Sequence, residues 1–168
     1  MNPALFDATV PTFTRALTAL DACLDKAQAH ADALKCDIGN ILSARLAPDM
    51  FPLGRQIQIA CDFAKGVSAR LAEVDMPIYE DNEVSLAEFK ARIAKTIAFI
   101  QSIPAEKFAG AESRHIVILR GDTKREFTGL NYAHHAGLPN FYFHVTSAYN
   151  ILRNNGVLIG KKDFIGSV

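Results

Sequence analysis

Four stretches of the sequence repeat apolar residues at steps of three and four, and this spacing constrains the fold more than any other feature. The first stretch runs through Phe6, Val10, Phe13, Leu17, Leu20 and Leu24, and the second through Leu53, Ile57, Ala60, Ala64, Val67, Leu71 and Val74. The third runs through Leu86, Phe89, Ile93, Ile97 and Ile100, and the fourth through Phe141, Val145, Ala148 and Leu152. Because such steps bring residues to one side of an α-helix, each stretch predicts an amphipathic helix.

The helices are expected at about 2–28, 50–75, 84–102 and 139–154, within a few residues at each end. Asn2 and Asp49 are the expected caps of the first two helices, and Ser85 and Glu88 have the spacing of a capping box at the start of the third. Four helices with one apolar side each bury those sides together most simply in a four-helix bundle. We therefore predict an all-α fold in one domain spanning residues 1–168.

A β-hairpin is expected between the third and fourth helices. The segment RHIVILRGDTKREFTG has a β-branched run, a Gly-Asp turn and a return strand, which predicts a hairpin at about 114–128. A hairpin alone is marginal in water, so it should pack on the bundle or on another subunit. The segment from Ile38 to Phe51 is expected to be a connector with a short helical turn near Ser43–Leu46.

Charge and composition argue against several classes of partner. The 18 basic and 18 acidic residues cancel, so the field that attracts nucleic acid is missing. No run approaches the roughly 18 apolar residues of a membrane helix, and the N-terminus has no signal-peptide pattern. The three cysteines form no CxxC pair and are interpreted as reduced thiols. We expect a cytoplasmic protein with no nucleic-acid or membrane partner.

No motif with a fixed mechanism is present, so histidines are the main candidates for chemistry. His30 is interpreted as a surface residue at a helix end, and His115 as a cross-strand polar residue of the hairpin. His134 and His135 are expected in a loop before Gly137, where either is a weak candidate ligand.

His144 stands apart because it is expected in the middle of the fourth helix, beside the apolar stripe. Asn140 lies one turn before it and Ser147 about one turn after it, which makes a polar ridge along the helix. A functional histidine and a buried histidine that bonds to a neighbouring helix would both produce this pattern.

Three segments, LSARLAPDMFPLGRQIQIACDFAKG, LPNFYFHVTSAYNILRNNGV and GKKDFIG, resemble the bacterial domain-of-unknown-function family DUF1993. That family is placed in the DinB/YfiT-like superfamily of candidate metalloenzymes, and the resemblance covers nearly the whole chain. It implies a four-helix bundle, often dimeric, with relatives that include thiol-transferases. It also implies where a metal site would lie.

Superfamily members commonly hold a divalent metal with one histidine from the second helix and an HxxxH pair on the last helix, whose second histidine is followed nine residues later by arginine. His144 and Arg153 match that second histidine and arginine, but Asn140 stands in place of the first histidine. The second helix offers Gln56, Gln58 and Asp62 instead. Amides are poor ligands for Zn or Ni, so we expect a ligand-binding pocket of Gln56, Asn140 and His144 with no metal or other cofactor.

Three functions remain open from the sequence. The first is a homodimeric module that binds a small molecule in the pocket. The second is a hydrolase-like or thiol-transferase-like enzyme in which His144 acts as a base, or holds a metal together with His134 or His135. The third is a structural bundle whose polar cluster only fixes helix register. No catalytic residue is assigned.

Overall fold

The chain folds around four long helices, as the stripes predicted. The computed structural model describes residues 2–166, and in the case of Arg120 only the backbone; the outermost residues of the predicted domain, 1 and 167–168, lie outside this range. The long helices are α1 (Ala4–Leu34), α3 (Leu53–Ala72), α4 (Leu86–Gln101) and α6 (Leu138–Asn154), with short helices α2 (Ile38–Leu42), α5 (Gly129–Tyr132) and α7 (Lys161–Ile165) between or after them.

The core forms where the four stripes meet. Of eight stripe residues drawn from the four long helices, seven are buried: Phe13, Leu17, Ile57, Val67, Ile93, Val145 and Leu152. The eighth, Ile97, is only partly buried, because α4 is rotated so that Arg92 and Thr96 face inward. The apolar spacing of α4 therefore predicts its buried residues correctly except at Ile97.

The predicted helix cap is confirmed at α4, and the predicted caps are wrong at α1 and α3. Ser85 and Glu88 form the predicted capping box. Asn2 does not cap α1, since its side-chain amide donates to Asp7, and the N-cap residue of α3 is Pro52 rather than Asp49. Helix α1 continues to Leu34 because Ala27 and Ala31 extend its buried side, and it ends at Lys35 in a left-handed conformation.

The predicted hairpin is present as strands β1 (His115–Arg120) and β2 (Thr123–Thr128), with Ile116 opposite Phe127 and Ile118 opposite Arg125. Two short 3₁₀ turns, Ala105–Phe108 and Ala111–Ser113, lead from α4 into it. A Cβ on Gly129 would lie 1.9 Å from the Ala111 carbonyl oxygen, so only glycine permits this close approach beside the hairpin. The short helix of the earlier connector is α2, upstream of the expected Ser43–Leu46 turn.

The segment before α6 is helical, where a loop was expected. Helix α5 leads through a π-helical turn, Ala133–Gly137, directly into α6. Pro139, in the first turn of α6, has no N–H to donate, and a wider turn upstream accommodates that missing bond. Within residues 2–166, no helix is both long and apolar enough to cross a membrane.

Candidate functional site

His144 of α6 is bonded to Gln56 of α3, which is one of the two arrangements that the polar ridge left open. His144 Nδ1 lies 2.7 Å from Gln56 Oε1, and the Gln56 side-chain amide donates to the Phe51 carbonyl oxygen at 3.1 Å. Because that second bond fixes the amide orientation, Oε1 is the acceptor and Nδ1 carries the proton. The lone pair of His144 is therefore on Nε2.

Burial keeps the His144 ring neutral. The residue is 8% exposed, its ring is stacked on Phe63 at a centroid distance of 5.9 Å, and Phe143 meets it edge-on at 5.2 Å. Burial first, and then the nearby positive charge of Arg55, lower the pKa of His144 from 6.5 to about 4. At neutral pH the ring offers an unprotonated Nε2, for which the described backbone and side chains supply no hydrogen-bond partner.

His144 and Asn140 line the same cleft, whose volume is about 840 Å³. The cleft runs along the exposed side of α3, between the α3–α4 connector on one side and the hairpin with the start of α6 on the other. Gln56 does not line it; this residue lies behind His144 and positions the ring. The Asn140 side-chain amide donates to the Ala136 carbonyl oxygen at 2.7 Å, which leaves its own oxygen available.

Just over half of the residues that line the cleft are apolar or aromatic, and the others are polar or charged. Its apolar and aromatic residues are Phe51, Ile59, Phe63, Met76, Pro77, Ile78, Tyr79, Ile118, Phe127, Tyr132 and Ala136. Small-molecule sites commonly combine such a wall with a small number of polar groups, and 840 Å³ falls within their usual size range.

The described residues do not fit the metal site that the superfamily resemblance implies. His134 and His135 are exposed on the π-helical turn, and neither lines the cleft with His144. The Gln56 amide is engaged by His144 and Phe51, and within residues 2–166 no three His, Cys, Asp or Glu side chains are grouped closely enough to hold a metal. Arg153, which matches the family arginine, donates to the Val157 carbonyl oxygen at the far end of α6.

Comparison with known proteins places the chain in a family. The family model described as a domain of unknown function, DUF1993, matches residues 5–165. The chain belongs to the DUF1993 family. A crystal structure of a DinB family member from Shewanella denitrificans is similar to it at 42% identity, with a TM-score of 0.90 over 98% of this chain and 93% of that one. No curated protein matches the chain.

This DUF1993 chain also contains an ion cluster around a buried arginine, which the sequence did not predict. The fully buried guanidinium of Arg92 meets Asp62 at 3.0 Å, Asp81 at 2.9 Å and Glu83 at 2.9 Å. Burial raises the pKa of Glu83, but hydrogen bonds from Arg92 and Gln58 outweigh it and hold that pKa below its usual value. The cluster joins α4 to α3 and to the α3–α4 connector.

The ion cluster matters to the cleft because the connector forms one of its walls. Tyr79 of the connector lines the cleft, with Lys65 Nζ 4.0 Å and Lys95 Nζ 4.2 Å from its ring centroid. The sequence carried one signal of this cluster: Arg92 lies on the apolar side of its helix, and acidic residues stand in the connector that precedes that helix.

Proposed function

We propose that this DUF1993 protein is a small-molecule-binding module whose ligand occupies the cleft beside His144. The observation that carries the proposal is that His144 and Asn140, at the positions where the superfamily resemblance implies metal ligands, line a cleft of about 840 Å³. His144 would accept a hydrogen bond at Nε2, and Asn140 would accept one at its side-chain oxygen.

The protonation state of His144 favours a role in ligand binding over a role as a catalytic base. A general base works best with a pKa near the operating pH, and the pKa of His144 is lowered to about 4. Gln56, its partner on Nδ1, is a neutral amide, so it does not stabilise an imidazolium as a carboxylate would. A neutral ring held in one tautomer is well suited to accept a hydrogen bond from a ligand.

A fluorescent apolar probe tests this proposal. N-phenyl-1-naphthylamine should bind the purified protein with saturable fluorescence enhancement. The Ala136→Trp variant, which fills the cleft beside Asn140, should abolish that enhancement. Ala94→Trp is the matched control, since Ala94 is exposed on α4 outside the cleft. Equal binding by both variants would reject the cleft as the binding site.

We further propose that the module is a homodimer. The support is that superfamily relatives commonly pair, and that the outward side of the hairpin exposes Leu119 at 73% together with Val117. Sedimentation at micromolar concentration should give twice the mass of one chain. Replacing both residues by lysine should give the monomer if the hairpin forms the interface. A wild-type monomer under these conditions would remove this part of the proposal.

A further inference from the structure

The cleft has a strong excess of positive charge although the chain is neutral as a whole. Arg55, Lys65, Arg70 and Arg125 line it, and Asp62 is the one carboxylate among the described lining residues. The complete sequence balances 18 basic against 18 acidic residues. The cations are therefore concentrated in the cleft by the fold, and a ligand in it would experience their combined field.

The positive charge is compensated at one end of the cleft and not at the other. Arg55, whose charge acts on His144, forms an ion pair with Asp81, and Lys65 Nζ lies 3.1 Å from the Asp62 carboxylate. At the hairpin end, the structure shows no ion pair for Arg70 or Arg125 with any carboxylate in residues 2–166. Arg70 instead donates to the Tyr132 hydroxyl at 3.2 Å, which is a neutral partner.

Arg70 has an obvious alternative role, since a cation in the last turn of α3 stabilises the helix C-terminus. Its guanidinium, however, is turned back along α3: a Cβ placed on Gly66 would lie 2.5 Å from Arg70 Nη1. The guanidinium thus lies over the preceding turn of the helix, on the cleft side, in space that the missing Gly66 side chain leaves open. This orientation directs the charge toward the cleft.

Arg125 lines the cleft from the hairpin, where Phe127 of the same strand packs against Tyr132, the hydrogen-bond partner of Arg70. Alternate residues of β2, namely Thr123, Arg125 and Phe127, line the cleft, together with Ile118 opposite Arg125. The intervening Lys124 is not part of the lining and pairs with Glu126 at 2.7 Å. Arg125 therefore directs its charge to the cleft, and the neighbouring Lys124 directs its own charge away from it.

We propose that the cleft selects small molecules that carry an anionic group, such as a carboxylate or sulfonate, on an apolar or aromatic body. This inference rests on the proposed binding function and specifies its ligand class. Arg70 and Arg125 bind the anion at the hairpin end through charge-assisted hydrogen bonds. The apolar body lies along α3 against Ile59 and Phe63, toward His144.

Two probes that differ only by an anionic group test the inference. 8-Anilinonaphthalene-1-sulfonate is N-phenyl-1-naphthylamine with one added sulfonate, and both report binding by fluorescence. We expect the wild type to bind the sulfonate at least about tenfold more tightly than the neutral probe, since hydrogen bonds to charged groups are the stronger class. Added salt should weaken binding of the sulfonate more than binding of the neutral probe.

Charge-removing variants locate the anion site. Arg70→Gln should weaken binding of the sulfonate about tenfold and change binding of the neutral probe by less than about twofold. Arg125→Gln should act in the same direction. Lys124→Gln is the matched control, because it removes the same charge from the adjacent residue on the other side of β2 and should leave both affinities unchanged.

The outcomes separate this inference from the proposed function. Equal affinities for the two probes, or an Arg70→Gln variant with an unchanged affinity ratio, would overturn the anion inference alone. Failure of both probes to bind, or binding that Ala136→Trp leaves intact, would overturn the proposed function and this inference with it. Circular dichroism and thermal melting check each variant, because the sulfonate probe also binds partly unfolded chains. If Arg70→Gln is unfolded, the Arg125→Gln and Lys124→Gln pair decides the question.

Discussion

Gln56 Oε1 accepts a hydrogen bond of 2.7 Å from His144 Nδ1, and this bond joins α3 to α6 at the edge of the cleft. The bond has two consequences. It fixes the tautomer of the imidazole, and it holds the ring in a place where burial and the positive charge of Arg55 oppose protonation.

Stability should fall as the pH decreases from about 6.5 to 4, because of His144. Its pKa is lowered to about 4 in the folded protein, from 6.5. Between these values the unfolded chain binds a proton that the folded chain does not, so acid favours unfolding. At pH 5 the free energy of unfolding should be lower by about 2 kcal/mol, at roughly 1.4 kcal/mol per pKa unit. Urea denaturation at pH 7.5 and pH 5 measures this difference.

The control for this pH effect is His144→Gln, which keeps a hydrogen-bond donor toward Gln56 and cannot titrate. It should lose most of the difference between pH 7.5 and pH 5. His134→Gln, at an exposed position, should retain the wild-type difference. Carboxylates, whose ordinary pKa values lie near 4, contribute mainly below this range. Equal pH dependence in the wild type and His144→Gln would show that the ring is not the titrating group.

Replacing an apolar side chain with alanine should lower the free energy of unfolding more at buried positions than at exposed ones. Leu17 and Ile57 are fully buried, so Leu17→Ala or Ile57→Ala should lower the free energy of unfolding by about 2–5 kcal/mol. Leu34→Ala, at an exposed position near the end of α1, should change it by less than about 0.5 kcal/mol. Denaturant titration of the three variants gives both values. Wild-type melting behaviour in Leu17→Ala would contradict the assigned stripe.

Sequence periodicity predicted the four helices and nearly all of the tested core, because burial of an apolar stripe is a local property of helix spacing. It failed at Arg92, which lies between Phe89 and Ile93 on the buried side of α4. A charged residue is normally assigned to solvent, and here Asp62 and Glu83 from other segments make its burial possible. Such compensation depends on tertiary contacts that no single helix reveals.

The candidate site was predicted only in part, because its shape also depends on tertiary contacts. The contact between Gln56 and His144 was expected from the polar ridge and the family resemblance, and it is confirmed. The cleft was not predicted in shape, because its walls include the hairpin and the α3–α4 connector. Their positions depend on close approaches such as Gly129 on Ala111 and on the ion cluster around Arg92.

Breaking the ion cluster should destabilise the protein strongly. In Arg92→Met, Glu83 would remain 6% exposed at its side chain without its main cationic partner, and removing one partner of a buried pair typically costs about 3–5 kcal/mol. Urea denaturation measures this loss, and proteolysis should cut more readily within the connector at 74–84. Lys95→Met is the matched control: Lys95 is 47% exposed, and the change should cost less than about 1 kcal/mol. Similar stability of the two variants would mean that the cluster contributes little.

The protein as purified should carry no stoichiometric transition metal. His144 supplies the one imidazole among the described cleft-lining residues, and amides replace the other ligands of the superfamily pattern. Structural zinc sites obtain about 10–16 kcal/mol from a complete ligand set, which this cleft lacks. Elemental analysis of the wild type and His144→Ala should give the same low metal content. That variant should lose about 1–3 kcal/mol of stability, because Gln56 is left without its partner. Zinc or nickel near one per chain, absent from His144→Ala, would contradict this prediction and favour the enzyme hypothesis.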